Sequence, residues 1–494
     1  MWAGLFSVAH AKPVETAQTP STLRVLYVGW DPKTVQLDIN DMDVSEDPLL
    51  AARLLALKKS RSPDFEQFLR QYFSTVKVVY APAYREAMSG DYDVTIFDAL
   101  PKPVRAGVSR RDSPRDEYEP PQYLSAEFDR AALLINTVSP NIASPLRYKM
   151  DWKCLCLGKE ALGMRLEHPI FNAPYEVKPT LKYIPTPANF FEHYNGRALA
   201  ATMPAWLVQR DAYDDNGYPS GMVSSGQGFA NAPDAEVIAG GVSSMSVDAV
   251  SLARHGNFFH WGFSAGPQDM TEEGRLVFIN AVHYIARFNG QRPYSRRRYP
   301  YPANREDMLD LAYGLFKGSY EEWAEERKES HEKRQAALKD AQATGKKLSA
   351  EDLEELGEPV LPLSREGWLK EQLMEHAQEV VALLGADLKA YLPYYEANLE
   401  YLRPAQTAGD WVNYLVDEDV RSLAVSNRSP ELLETCVLLL EHNLDAAKAQ
   451  RLLERYTDQK LKAAEEWRAW LDRNRERLYF SDEDDFRFHV APKD

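Results

Sequence analysis

The stretch RHGNFFHWGFSAGPQDMTEEGRLVFINAVHYIARF, from Arg254 to Phe288, contains the features that decide the fold. Its aromatic run NFFHWGF predicts a strand, and the loop after it ends near Asp269 and Thr271, either of which can cap a helix. Glu272 and Glu273 then lie in the first turn, where acidic side chains are favourable. Apolar residues recur at a nearly helical spacing, at Leu276, Ile279, Val282 and Ile285. The stretch therefore predicts a strand, a loop and a helix that packs on a sheet.

Upstream, strands and helices alternate along the chain. LRVLYVG (Leu23–Gly29) is a continuous apolar run, typical of a strand buried on both faces. DFEQFLRQYF (Asp64–Phe73) predicts a helix, and further strands are predicted in VKVVYA, YDVTIFDAL, AALLIN and KCLCL. This alternation predicts a parallel sheet covered on both faces, with ligands bound beyond the carboxyl ends of its strands. The loops of interest begin at Gly29, Asp98, Asn136 and Gly158.

The second part of the chain has a different character. A chain of 494 residues predicts two or three domains. GQRPYSRRRYPYP (Gly290–Pro302) is rich in proline and arginine and predicts a linker. Highly charged and amphipathic helical patterns follow it. We therefore expect a leader and linker at 1–21, an α/β domain at 22–290, a linker at 291–303 and a mainly helical module at 304–494.

A faint internal repeat lies in this helical module. YYEANLEYL (Tyr394–Leu402) is followed by DWVNYLV, and WLDRNRERL (Trp470–Leu478) is followed by DFRFHV. The matching positions are Asn398 and Asn474, Glu400 and Glu476, and Leu402 and Leu478. The pattern predicts two copies of a helix–loop–strand unit, which would serve packing or the docking of a protein partner.

Charge and composition exclude some classes of partner. The formal net charge of −16 argues against nucleic acid, whose phosphates require clustered Lys and Arg. No apolar run approaches the roughly 20 residues of a transmembrane helix. The opening MWAGLFSVAHAKPVETAQTP has an apolar segment, Trp2–Ala9, and a small-x-small site at Ala9-His10-Ala11, which favours export to the periplasm or medium over a cytoplasmic location. No metal-ligand set and no dinucleotide or phosphate loop is present, so we expect neither metal nor cofactor.

Several of these motifs together resemble a known family. RVLYVG, DYDVTIFDAL, the EHPIF at Glu167–Phe171 and the closing strand–loop–helix are similar to the class I glutamine amidotransferase-like superfamily, in its ThuA-like (trehalose-utilisation) branch, over about residues 22–290. That branch commonly has a His-Pro-Ile element and an Asn-Ala pair in its last helix, here Asn280-Ala281. The resemblance implies a flavodoxin-like doubly wound parallel sheet and a carbohydrate or small-molecule ligand.

The catalytic triad of the amidotransferases is incomplete in this chain. These enzymes use a cysteine on a sharp strand-to-helix elbow, activated by histidine and glutamate. Cys156 in CLCLGKE is the nearest candidate, but Cys154 stands where the elbow has glycine. His255 and His260 lie in the expected region, yet no histidine of the chain has Glu two residues later. A second elbow candidate, INTVSP, has no cysteine. We expect both cysteines to fill a core strand.

Other candidate site residues lie at strand ends and in loops. Asp31 and Asp98 could supply carboxylates for acid–base chemistry, or could form turns and caps. His168 and His260 could be site or structural residues. Candidate sugar-binding residues are Trp30, His260 and Trp261.

Three functional hypotheses remain open at this point, and the sequence does not decide whether the protein is an enzyme. The first is a carbohydrate-associated binding or scaffold protein. The second is a hydrolase or sugar-processing enzyme that uses Asp and His groups at the strand ends. The third is a glutaminase with Cys156 as nucleophile.

Overall fold

The computed structural model describes residues 19–36, 48–110, 117–150, 154–210, 221–229, 232–297, 304–344, 364–405 and 413–493. The predicted leader, with Trp2–Ala9 and Ala9-His10-Ala11, lies outside the described residues. So do the second half of the predicted linker, from residue 298, and the first residue of KCLCL. Among the described helices, none is long and apolar enough to cross a membrane.

The first part of the described chain is a mixed α/β region with four α-helices around one large sheet. The helices are α1 (Pro48–Leu69), α2 (Val138–Leu146), α3 (Pro169–Asn172) and α4 (Glu272–Ile285). The strands are β1 (Ser21–Gly29), β2 (Phe73–Tyr80), β3 (Val94–Phe97), β4 (Val108–Arg110), β5 (Glu117–Glu119), β6 (Ala132–Ile135), β7 (Glu160–Leu162), β8 (Leu181–Pro185), β9 (Thr202–Leu207), β10 (Ser224–Ser225), β11 (Ala235–Gly241), β12 (Ala249–His255) and β13 (Phe258–Trp261).

The large sheet has a parallel half and an antiparallel half. Its strand order is β2-β1-β3-β6-β13-β12-β11-β7-β9-β8, with β10 beside β12 and with β4 and β5 forming a separate hairpin. The strands from β2 to β13 pair in parallel. From β12 onward every pairing is antiparallel. The expectation of a wholly parallel sheet is therefore wrong for the second half, where strands return beside their neighbours without a crossover helix.

The predicted strand KCLCL is also wrong. Cys154 forms only an isolated bridge to Val223, and residues 155–158 are loop. The next strand is β7, which begins at Glu160. Isolated backbone hydrogen bonds, such as the one from Gly158 N to Val242 O at 2.6 Å, pair polar groups of this loop. The loop can therefore pack against the protein without forming a regular strand.

Helices cover both faces of the parallel half. On one face, Tyr27 of β1 packs against Phe65 of α1, and Phe65 packs against Phe278 of α4. On the other face, Leu26 belongs to a cluster with Ile142 of α2. The last five residues of β1 are consequently buried, as expected for a strand covered on both sides.

The closing helix begins where the sequence predicts. Thr271 caps α4, and its hydroxyl accepts a hydrogen bond from Gly274 N at 3.0 Å. The helix containing DFEQFLRQYF ends earlier than predicted, at Leu69, because Phe73 already begins β2.

The C-terminal region is mainly helical and has its own hydrophobic core. Its helices are α5 (Asp307–Lys317), α6 (Tyr320–Ala343), α7 (Arg365–Leu373), α8 (Gln378–Leu384), α9 (Leu388–Asn398), α10 (Glu418–Arg421), α11 (Glu431–Glu441), α12 (Ala446–Tyr456) and α13 (Ala464–Asn474). Two hairpins accompany them, β14 (Leu402–Pro404) with β15 (Tyr414–Val416), and β16 (Leu478–Ser481) with β17 (Arg487–Val490).

The two stretches of the internal repeat adopt the same local structure. Helices α9 and α13 each end at the matched asparagine, pass through one 3-10 turn and enter a strand. Asn398 Nδ2 donates to Tyr394 O and Asn474 Nδ2 donates to Trp470 O, both at 2.8 Å. The matched asparagines thus close the last turn of each helix in the same way.

Candidate functional site

Asp98 lies at the carboxyl end of β3 and is fully engaged there. Arg61 of α1 binds it through two hydrogen bonds, from Nε to Oδ2 at 2.6 Å and from Nη2 to Oδ1 at 2.7 Å. The Tyr27 hydroxyl also donates to Oδ2, at 2.6 Å. Arg61 reaches further, to the carbonyl oxygen of Ser264 in the loop after β13, at 2.6 Å. We call Tyr27, Arg61 and Asp98 the carboxyl-edge cluster.

The carboxyl-edge cluster is not arranged as a general base. A buried carboxylate held by a bidentate guanidinium is a charge-compensated group, and Arg61 and Tyr27 already occupy three of the acceptor sites of Asp98. Burial and the adjacent Asp98 carboxylate raise the pKa of Tyr27 well above its ordinary value, so this hydroxyl stays protonated and donates. The arrangement ties α1, β1, β3 and the loop after β13 together, and this is a structural role.

Trp30 and Asp31 follow β1 but make local contacts. Asp31 forms a turn in which its Oδ1 accepts from Lys33 N at 2.9 Å. The Lys58 ammonium lies 5.7 Å from the centroid of the Trp30 ring, a cation–π contact that covers part of that ring. Among the described residues, the hydrogen bond of the Asp31 side chain is thus local, whereas Asp98 is bound by Arg61 and Tyr27.

His260 and Trp261, which the sequence suggests as sugar-binding residues, both have fully buried side chains. The Trp261 ring packs edge-on against Phe278, with centroids 5.0 Å apart. Burial lowers the pKa of His260 to about 4, so its ring is neutral at ordinary pH. The physical reason is the position of β13, which lies between β6 and β12 in the middle of the sheet and is covered on both faces.

His168 serves as a helix cap at a different place. Its Nδ1 accepts from Ile170 N at 3.4 Å, at the start of α3, and its Nε2 lies 3.4 Å from Glu236 Oε2. Glu236 also accepts from Arg254 Nε at 2.6 Å and from the Tyr284 hydroxyl. Burial opposes ionisation of Glu236, but these hydrogen-bond partners lower its pKa to about 2.

The position of His168 separates it from Asp98. Glu236 pairs across the ladder with Arg254, near the carboxyl end of β12, and Phe258 of β13 begins opposite His255. Because β12 runs against the parallel strands, its carboxyl end lies at their amino edge. The structure therefore places His168 and Asp98 at opposite edges of the sheet and does not bring the proposed Asp and His groups together.

Cys156 does not occupy an elbow. It is half-buried in the loop before β7 and forms a disulfide with Cys154. The next element is the strand β7, and Cys156 itself lies in a loop, so the expectation that it fills a core strand is wrong. The strand-to-helix elbow lies instead after β6, where Asn136 has a φ of 52° and α2 begins at Val138. The residue at the strained position is therefore an amide and not a thiol.

The sequence contains a signal for this elbow. Asparagine tolerates the left-handed region better than most residues, and INTVSP places one between an apolar strand and a helical segment. The motif therefore indicates an elbow through the conformational preference of Asn136 and not through a cysteine.

A buried ionic cluster at the amino edge was not predicted. The Glu483 carboxylate, from the turn between β16 and β17, lies 3.1 Å from Lys149 Nζ and 3.1 Å from Arg297 Nε, and all three side chains are buried. Asp234 lies 3.4 Å from His255 Nε2 beside them. We call these five residues the amino-edge cluster. It joins the helical region to the α/β region.

Ser295, His255 and Asp234 have the residue types of a hydrolase triad but not its geometry. His255 Nδ1 accepts from Lys149 N at 3.1 Å, so its proton is on Nε2. That same Nε2 lies 3.4 Å from both Ser295 Oγ and Asp234 Oδ2, and the serine hydroxyl donates directly to Asp234. A triad needs the acid and the serine on different ring nitrogens. This group is a buried structural network.

Its charge state follows from these contacts. Burial opposes ionisation of Asp234, but hydrogen bonds from His255, Ser295 and Tyr294 N lower the pKa of Asp234 below its ordinary value. The pKa of His255 is lowered, mainly by burial. In the described residues, no group of three or more His, Cys, Asp or Glu side chains is arranged to hold a metal ion.

Comparisons with protein-family models, with curated proteins and with solved structures found no match.

Proposed function

We propose that this protein is an extracytoplasmic, carbohydrate-associated binding or scaffold protein whose α/β region is a flavodoxin-like, ThuA-like domain without amidotransferase chemistry. The order of its parallel strands supports the fold. Numbered among themselves along the chain, these five strands lie in the order 2-1-3-4-5, which is the flavodoxin-like order. The carbohydrate link comes from the resemblance of the motifs in residues 22–290.

The proposal rests mainly on the carboxyl-edge cluster, where other side chains of the protein already bind the Asp98 carboxylate. In this fold, ligand chemistry takes place beyond the carboxyl ends of the strands. Here the carboxylate at that edge, Asp98, is bound by Arg61 and Tyr27. The elbow residue is Asn136, and Cys156 is bonded to Cys154. The groups that a hydrolase would use are engaged in structural contacts, which favours binding over catalysis.

The extracytoplasmic location has two supports. The apolar opening of the sequence resembles a leader. The Cys154–Cys156 disulfide is the state expected in an oxidising compartment such as the periplasm or medium. A cytoplasmic protein would keep such a pair reduced.

The test is residue-by-residue thiol alkylation of the folded protein near neutral pH, read by mass spectrometry. We expect Cys154 and Cys156 to be protected until a reductant is added. Cys436 is buried in α11, and burial raises the pKa of its thiol to about 12, so we expect it to react only after unfolding. Rapid alkylation of Cys156 without reductant would contradict the proposal and support the glutaminase hypothesis.

A parallel assay tests catalysis directly. The protein as isolated is incubated with glutamine and with small ester substrates, and heat-denatured protein provides the background rate. We expect no turnover above this background. Turnover above the background would overturn the proposal, whichever residue is responsible for it.

A further inference from the structure

A concave cleft of about 800 Å³ lies on the outer face of α13, the helix of the second repeat copy. Helix α13, the loop before it and the end of the chain form its walls. The lining residues are Gln459, Leu461, Glu465, Glu466, Ala469, Trp470, Arg473, Asn474, Arg477 and Lys493. We call this space the α13 cleft. None of its lining residues belongs to the carboxyl-edge cluster or to the amino-edge cluster.

The cations of the α13 cleft differ from neighbouring arginines. Arg468 and Arg475 form ion pairs with glutamates, at 2.5 Å in each case to Glu434. Arg473, Arg477 and Lys493 form no ion pair with any residue that the structure describes. Arg477 donates only to the neutral oxygens of Ala491 and Asn474, and Arg473 Nε donates to Ala469 O. Three cations that have no carboxylate partner among the described residues therefore line one cleft, in a chain whose net charge is −16.

The first repeat copy provides an internal comparison. With Asn398 matched to Asn474, the positions of Arg473 and Arg477 hold Ala397 and Tyr401. The amide oxygen of Asn398 accepts from Arg421 of the separate helix α10, at 3.4 Å. The corresponding oxygen of Asn474 accepts from Arg477 of its own copy, at 2.8 Å. The cationic face is thus a property of the second copy and is not required by the repeat fold.

The α13 cleft has two chemically different ends. Glu465 and Glu466 lie in the first turn of α13, and Arg473 lies in its last turn, about 12 Å away along the helix axis. The Glu466 carboxylate already caps the helix, accepting from Lys462 N and Ala463 N. Glu465 is exposed and free to accept hydrogen bonds from hydroxyls. Between the ends, Ala469 and the half-buried Trp470 form an apolar wall suited to the face of a sugar ring.

We propose that the α13 cleft binds an acidic saccharide of two or more rings, with its carboxylate held by Arg473, Arg477 and Lys493 and its hydroxyls directed toward Glu465 and Gln459. The sugar part of this ligand rests on the proposed carbohydrate association, and the anionic part rests on the three cleft cations that form no ion pair within the described part of the chain. Guanidinium groups bind carboxylates through charge-assisted hydrogen bonds. A neutral saccharide would leave these cations without a partner.

Titration calorimetry with a galacturonic acid trimer tests the proposal, and the methyl-esterified trimer serves as a neutral probe with the same rings. We expect the ester to bind at least about tenfold more weakly, because it lacks the charge-assisted hydrogen bonds. The double variant Arg473→Gln/Lys493→Gln should weaken binding of the acid by about tenfold or more. Lys389→Gln, at the first-copy position that matches Glu465, is the control for the loss of a surface cation and should bind as the parent does.

The outcomes separate this proposal from the proposed function. If the acid binds but the double variant binds equally well, the protein is a carbohydrate-binding protein and the α13 cleft is not the site. If acid and ester bind alike, the role of the cations is overturned. If neither probe binds, the acidic-saccharide proposal is overturned, while the alkylation and turnover tests still decide on the proposed function. Circular dichroism of the double variant confirms that a loss of binding is not a loss of folding.

Discussion

The two buried ionic clusters at opposite edges of the sheet contain similar ion pairs but connect different parts of the chain. The carboxyl-edge cluster joins elements within the α/β region through Asp98 and Arg61. The amino-edge cluster joins the two regions of the chain, because Glu483 and Lys149 are 334 residues apart. Burying charges carries a desolvation cost that only close pairing offsets, so both clusters should be sensitive to the loss of one partner. The two clusters should differ in the part of the chain that is destabilised when a partner is lost.

The largest effect is expected for Glu483→Ala. This change leaves Lys149 and Arg297 as buried cations without their carboxylate, which costs about 3–5 kcal/mol in comparable buried pairs. Chemical denaturation measures the loss in free energy of unfolding. Hydrogen exchange should rise in both regions of the chain, since Glu483 connects them. Glu483→Gln keeps the shape of the side chain but removes its charge, so it should also destabilise the protein. A loss below about 1 kcal/mol in both variants would contradict the joining role.

A smaller and more local effect is expected for Asp98→Asn. Only one cation, Arg61, loses its partner, and it keeps its bond to Ser264 O and is partly solvated. We expect a loss of about 3 kcal/mol in the free energy of unfolding. Faster hydrogen exchange should be confined to α1, β3 and the loop after β13. The double variant Arg61→Met/Asp98→Leu, which removes both charges, should recover much of the stability. Exchange that spreads to the helical region would remove the distinction between the clusters.

The sequence predicts those structural features that depend on residues close together in the chain. LRVLYVG is a strand and Thr271 is a helix cap because neighbouring residues decide both. The aromatic run of β13 does not show which neighbours cover the strand, so the burial of His260 and Trp261 could not be predicted from it.

The sites were harder to predict than the elements, for the same reason. Nothing near Lys149 or Glu483 in the sequence indicates that they meet, because their contact depends on how the two regions pack. The elbow at Asn136 was readable in principle, since its conformational preference is a property of one residue. The disulfide between Cys154 and Cys156 could not be predicted while KCLCL was taken for a strand. Two cysteines on the same face of one strand would not bond in this way, whereas the loop allows it.

His260 is a buried titratable group that belongs to neither ionic cluster. Burial lowers its pKa to about 4, from an ordinary value of about 6.5. The unfolded chain therefore binds a proton more readily than the folded one, and stability falls as the pH drops from about 6.5 to 4. The full shift corresponds to at most about 3 kcal/mol. His260→Leu should reduce this slope in urea denaturation across that pH range, whereas His442→Gln, at an exposed position, should not. An unchanged slope in His260→Leu would mean that protonation of His260 is not linked to folding.

The smallest effect is expected where the same kind of ion pair lies in water. Arg24 and Asp93 form a pair at 3.0 Å, a distance close to those of the buried clusters, but their side chains are 50% and 31% exposed. Solvent weakens the attraction and already solvates both charges, so little is gained when the pair forms. Asp93→Asn should leave the midpoint of urea denaturation unchanged within error, at both low and moderate salt. If it destabilised the protein as much as Asp98→Asn, distance alone would determine the effect, and burial would not explain why the two ionic clusters matter.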